Sequence, residues 1–251
     1  MKRSVIPVTL TLAAAVLLLP VSIAWSASQS TDFETPPGSG YDLFDQSNGY
    51  SGDAVQSTDF AHSGTYSIKL QVTADGNNPV VRMIPDAGDT LNNLNGSFWA
   101  YVPSGNNNVP YMIFGLDTNG NGSWDGTSAS GDSLVIAFVN TPVTHDAWFQ
   151  DGLDGSTKVH VVGNRSGLTP GTYDASGTQD TLANLRNMTV SGSTTWGDLN
   201  AKRAYIEAGV WPGVTSFTGY VDNMALTIPE PSTLALVGLA LGGLVVIRKR
   251  K

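Results

Sequence analysis

Residues 97–102 read "SFWAYV", and the reading of this stretch carries the fold. In extended backbone, successive side chains point to opposite faces. Phe98, Ala100 and Val102 then share one face, and Trp99 and Tyr101 share the other. A helix would scatter both sets around its axis, so the alternation favours a strand with one face in a core. The reading extends to "YMIFGL" (111–116), where Tyr111 and Ile113 oppose Met112, Phe114 and Leu116. It extends also to "AYIEAGVW" (204–211), where Ala204, Ile206, Ala208 and Val210 oppose Tyr205, Glu207, Gly209 and Trp211.

Further strands are expected at 66–73, 80–84, 133–139, 158–163 and 219–228, separated by clusters of Gly, Asn, Asp and Pro. The segment "DTLANLRNM" (180–188) is the best helix candidate, with Asp180 or Thr181 as its cap. About eight short strands joined by long polar loops point to an all-β domain, a jelly-roll β-sandwich.

That domain is expected over residues 29–228, between two targeting segments. Residues 1–28 have the three parts of a signal peptide: Lys2 and Arg3, an apolar run from Val8 to Leu19, and small residues after it. The run is short for a spanning helix, which favours a cleaved signal over an uncut anchor. At the other end, Leu234–Ile247 is free of polar side chains. Pro229 and Pro231 stop any preceding element from running through, and Ser232 or Thr233 can cap a new helix. "RKRK" at 248–251 would hold that end on the cytoplasmic side of a membrane. With Arg248 and Lys249 snorkelling, the segment reaches close to the thickness of a bilayer's hydrocarbon, so a transmembrane helix is expected here.

Seven basic and twenty acidic residues lie between positions 29 and 228, a net charge of −13. Such a surface repels nucleic acid and anionic lipid and attracts cations. There is no Cys, which excludes disulfides and thiol chemistry. The stretch "DTNGNGSWDG" (117–126) puts Asp117, Asn119 and Asn121 at positions 1, 3 and 5 of an EF-hand-like loop, with Gly122 at 6 and Asp125 at 9. Position 12, which should be Glu, is Ser128; Asp132 is the nearest substitute. Either Ca2+ binds here, or the residues serve only an Asn-Gly-rich turn.

The order Pro229-Glu230-Pro231, apolar helix, terminal basic cluster resembles the PEP-CTERM sorting signal. The resemblance implies a Gram-negative bacterium that makes exopolysaccharide. It also implies cleavage by an exosortase near the Pro-Glu-Pro, and a tail that anchors only the precursor. A second resemblance rests on "DFETPPG" (32–38), "STDFAHSGTYSIKLQV" (57–72) and "GYVDNMALT" (219–227). These are similar to the first and last strands of jelly-roll carbohydrate-binding modules. There the resemblance implies a structural calcium held by Glu34 (or Asp32), by Asp222 and by backbone carbonyls of loop 58–65.

If the aliphatic sets face the core, Trp99, Tyr101, Tyr111, Tyr205, Glu207 and Trp211 line one outer face able to bind a polysaccharide; otherwise long loops bury those rings. Enzyme signatures are poor. The three His are well separated, and neither a GxSxG nor a P-loop occurs. Glu207 with Asp198 or Asp222 is a formal carboxylate pair for glycoside hydrolysis, but twenty acids make such a pair by chance. The expectation is an exported, transiently anchored surface or matrix protein that binds or organises extracellular polysaccharide without catalysis. Its rivals are a structural biofilm component without a ligand and a polysaccharide hydrolase or lyase.

Overall fold

The computed structural model describes residues 29–45, 53–73, 78–106, 108–173, 179–208 and 216–227. The expected signal peptide (residues 1–28), Trp211, the Pro229-Glu230-Pro231 motif and the C-terminal apolar run lie outside these residues. In chain order the strands are β1 (Gln29–Thr31), β2 (Asp42–Asp45), β3 (Ala54–Ser57), β4 (Ser67–Val72), β5 (Pro79–Met83), β6 (Asn95–Tyr101), β7 (Tyr111–Leu116) and β8 (Ser133–Ala137). They continue as β9 (Trp148–Gly152), β10 (Lys158–Gly163), β11 (Asp180–Thr181), β12 (Thr189–Ser191), β13 (Thr194–Thr195), β14 (Ala201–Glu207) and β15 (Phe217–Thr227).

Two antiparallel sheets stack into the expected jelly-roll sandwich. The first runs β3-β4-β15-β6-β9, with β1 pairing the far half of β15. The second runs β11-β10-β8-β7-β14-β5-β2. The core between them is filled by alternate residues of the main strands: Ile68, Leu70, Phe98, Ala100, Phe149 and Val221 from the first sheet, and Val81, Met112, Phe114, Val135, Val161, Ala204 and Ile206 from the second. The parities read from "SFWAYV" and "YMIFGL" therefore hold, as does that of "AYIEAGVW" over its described residues, 204–208. A smaller apolar cluster of Val80, Ile113, Leu134, Ile136 and Tyr205 covers the outer face of the second sheet. That is why β8, "SLVIA", is buried on both faces and reads as a continuous apolar run.

The helix forms where expected, as α1 (Leu182–Asn187), and its N-cap is Thr181, whose side chain accepts the Asn184 N–H at 3.2 Å. Leu182 and Leu185 fill the core from α1, and Arg186 donates to the carbonyls of Leu91 and Leu94. The fully buried Trp196 closes the same end, with its indole N–H bonded to the Ser166 carbonyl. Among the described residues no helix is long and apolar enough to cross a membrane.

Candidate functional site

The outer face of the first sheet is built around β15. β4 and β1 lie end to end along one edge of β15, and their junction falls at Asp222–Asn223. A bulge interrupts the pairing with β6 there, between Asp222 and Ala225. Asn223 takes a positive φ of 49°, a conformation Asn tolerates better than most residues. The extra residue switches parity along the strand. Val221 before the bulge and Met224 and Leu226 after it all face the core. Asp222 is left on the outer face, opposite Trp99.

The segment before β4, residues 58–66, folds back over this face and is held by two carboxylates. Asp222, fully buried, accepts the N–H groups of His62 (2.8 Å) and Ser63 (3.1 Å) on Oδ2 and that of Asn223 (2.7 Å) on Oδ1. Burial pushes its carboxyl pKa up, and the three amides and the nearby His62 pull it part of the way back. Glu34, just beyond β1, accepts the N–H groups of Thr65 (2.9 Å) and Tyr66 (2.8 Å) on Oε1. Gly64, at φ +67°, lets that carboxylate lie where a Cβ would sit.

So held, the loop lays two rings on the sheet. His62 stacks on Trp99, with centroids 3.7 Å apart and planes 15° apart. Phe60 stacks on Tyr101 at 4.5 Å and 19°. In register across the strands, Tyr220, Tyr101 and Trp148 form one row, at 6.1 and 5.7 Å between neighbouring centroids. The result is a patch of six rings from β6, β9, β15 and one loop. Phe60 is 41% exposed; His62 is exposed, and Trp99, Tyr101 and Trp148 are half-buried. Lys69, Asp59 and Gln150 give it a polar border. Asp59 accepts the Tyr220 hydroxyl (3.3 Å) and pairs with Lys69 (3.6 Å).

The expected single glycan face is corrected by the topology. Trp99 and Tyr101 stand on β6 in the first sheet, whereas Tyr111, Tyr205 and Glu207 stand on β7 and β14, which pair with each other in the second. The two groups point away from each other on opposite sides of the sandwich. Tyr205 is fully buried and Glu207 nearly so, within the apolar cover of the second sheet. Tyr111 donates to Glu207 Oε1 at 3.1 Å, and burial beside that carboxylate drives its hydroxyl pKa far up. Arg203 donates to the Tyr205 hydroxyl at 3.1 Å. The formal Glu207–Asp222 pair fails for the same reason, since the two acids occupy opposite outer faces. Asp198 instead caps a short 3-10 turn, accepting the Thr195 N–H at 2.9 Å.

Neither expected calcium set forms a cluster of three acids; among the described residues no three Asp, Glu, His or Cys groups converge. Around Glu34 and Asp222 the loop turns N–H groups, not carbonyls, toward both carboxylates. The Phe60 carbonyl accepts the Ser67 hydroxyl instead. In the other set, Asn119 and Asn121 both donate side-chain N–H groups to Asp125 Oδ2, and Asp117 Oδ2 accepts the Gly122 N–H.

Phe60, His62, Trp148 and Tyr220 were absent from the expected site. Trp148 had a local signal: in "WFQDG" Trp148 and Gln150 alternate with Phe149 and Asp151. The inward Asp151 masks it. That carboxylate is buried because it accepts the N–H groups of Asn140 and Thr141, at 3.0 Å each.

Residues 227–251 match the family model described as the PEP-CTERM protein-sorting motif. The C-terminal resemblance is thereby borne out, and the chain carries the signal of an exported protein. No curated protein matches the chain. Solved structures similar to it include a CBM22 xylan-binding domain from Paenibacillus barcinonensis, with 11% identity over 81% of this chain and 94% of that one, TM-score 0.40. A family 11 carbohydrate-binding module from Clostridium thermocellum, in complex with a β-1,3-1,4-mixed-linked tetrasaccharide, shares 16% identity over 80% and 95%, TM-score 0.41. A cellulose-induced protein, Cip1, shares 13% over 79% and 96%, TM-score 0.44.

Proposed function

We propose that this chain is an exported, non-catalytic polysaccharide-binding protein. It meets its glycan on the outer face of the first sheet, through Phe60, His62, Trp99, Tyr101 and Trp148. The observation that carries the reading is the six-ring patch itself. Aromatic groups gathered on an outer face, with a polar rim, mark a binding surface. The C–H faces of a gluco- or xylo-configured pyranose are apolar and its hydroxyls equatorial, so such a sugar matches a ring bordered by Gln150, Asp59 and Lys69. The net charge of −13 over residues 29–228 disfavours an acidic polymer and favours a neutral one.

The sorting motif gives the context. In this reading the precursor is anchored in the inner membrane through its C-terminal apolar segment, Leu234–Ile247. An exosortase cuts near Pro229-Glu230-Pro231, leaving the sandwich at the cell surface or in the extracellular matrix. In this reading backbone N–H groups bonded to the Glu34 and Asp222 carboxylates hold the loop over the sheet.

Affinity electrophoresis of the purified protein in gels containing xylan, mixed-linked β-glucan or an anionic polymer tests the reading. The wild type should be retarded by a neutral polymer. Trp148→Ala and Phe60→Ala should each weaken binding by about 1–3 kcal/mol, the scale of a ring stacking on a planar ligand, with melting temperature nearly unchanged. Full retardation of the double variant would remove the site. Free migration of the wild type in every neutral gel would favour the structural component without a ligand.

A further inference from the structure

The connection from β7 to β8, residues 117–132, is sixteen residues long and tightly organised. We propose that it binds one calcium ion, with Asp117, Asn119, Asn121 and Asp125 supplying the side-chain oxygens. Asp117 is 3% exposed. Its Oδ2 accepts the Gly122 N–H at 2.8 Å, which draws the carboxylate into the turn, while Oδ1 is buried with no hydrogen-bond partner. A buried carboxylate oxygen without a donor is destabilising, and a cation seated in the turn would satisfy it. Lys202 lies 3.8 Å away, but against Oδ2, the oxygen that already has a donor.

The other donors share the same turn. Asn119 Nδ2 reaches Asp125 Oδ2 at 2.7 Å, and Asn121 Nδ2 reaches the same oxygen. Asn119 Oδ1 and Asn121 Oδ1 each accept one backbone N–H, from Asn121 (3.0 Å) and Ser123 (2.8 Å), and each keeps a second lone pair. Gly122, at φ +84°, makes the sharp turn such a loop needs at its sixth position.

Asp132 does not substitute for the ligand missing at the twelfth position, Ser128. It is fully buried, and its two oxygens accept the Thr118 N–H (3.1 Å) and the Asp125 N–H (2.8 Å), so it clamps the loop ends. The site therefore offers two carboxylates plus neutral amide oxygens, with water completing the shell. Calcium accepts such a mixed, irregular set, whereas magnesium demands a small octahedron. Two charges place the affinity among weak extracellular sites, with Kd of about 10⁻⁴–10⁻³ M.

Trp124 reports on the loop. Its ring packs on Gly115 and lies 5.0 Å from the Arg203 guanidinium. Calorimetry of the purified protein with CaCl2 should show one site in that range, and MgCl2 should bind more weakly. Asp125→Ala, at an exposed position, should weaken binding by about tenfold or more, and Asn121→Asp should tighten it, since affinity follows ligand charge. Terbium in place of calcium should give luminescence sensitised by Trp124 that Trp124→Phe removes. Absence of calcium heat up to roughly 10 mM, ten times the weak end of the range, would overturn the proposal. Unchanged Kd in both Asp125→Ala and Asn121→Asp would do so too, as would magnesium binding as tightly as calcium.

Discussion

Replacing Asp222 with Ala removes the acceptor of three backbone N–H groups at once, those of His62, Ser63 and Asn223. A hydrogen bond to a charged group contributes about 1.5–3 kcal/mol, so three would sum to well above 4 kcal/mol if simply additive. Two effects reduce that figure. The carboxylate is desolvated, which is the dominant influence on its raised pKa, and this burial cost disappears with it. His62 and Ser63 are exposed, so water can reach their freed N–H groups. The expected net loss is about 3 kcal/mol, within the span for a broken buried polar network. In a domain of this size that lowers Tm by roughly 6–12 °C. The loop would also release Phe60 and His62 from Tyr101 and Trp99, so glycan retardation should fall together with stability. Asp222→Asn, which keeps an acceptor oxygen, should lose less. Urea melts of the two variants, paired with affinity gels, give both quantities. If Asp222→Ala lies within about 1 kcal/mol of wild type, below even one charge-assisted bond, the carboxylate does not hold the loop.

Gly64→Ala should cost about 1–3 kcal/mol, since φ +67° strains any L residue and the new Cβ would meet the Glu34 carboxylate; an unchanged urea midpoint would refute the clasp. Thr181→Ala should cost about 1 kcal/mol by removing the N-cap of α1, and a chemical melt that does not shift would show the cap to be idle. Burial, helped by the Arg165 charge, holds the His160 pKa below its ordinary range. The unfolded chain thus binds more protons between the folded pKa and about 6.5, so this contribution is complete above about pH 6.5 and is lost as pH falls through that window. An NMR titration in which the His160 ring protonates at or above the unfolded value would contradict it.

Which face β6, β7 and β14 present was legible in the residues themselves. Phe98, Ala100, Met112, Phe114, Ala204 and Ile206 face the core as alternation requires, because side-chain direction in extended backbone depends only on neighbouring peptide units. Thr181 caps α1 for an equally local reason, its hydroxyl meeting an N–H three residues on. The Pro-Glu-Pro tail is read from a contiguous motif. The partners of those faces were not legible. Parity puts Trp99 and Tyr205 on the outward side of their own strands, yet it cannot tell that β6 pairs β15 while β14 pairs β7. Strand pairing is settled by how whole faces bury against each other across the chain. The same holds for Phe60 and His62, which join Tyr101 and Trp99 only because carboxylates at positions 34 and 222 fasten their loop from far along the sequence. Local backbone geometry therefore determined the elements and their inward faces, and long-range burial and hydrogen bonding decided which aromatic rings meet.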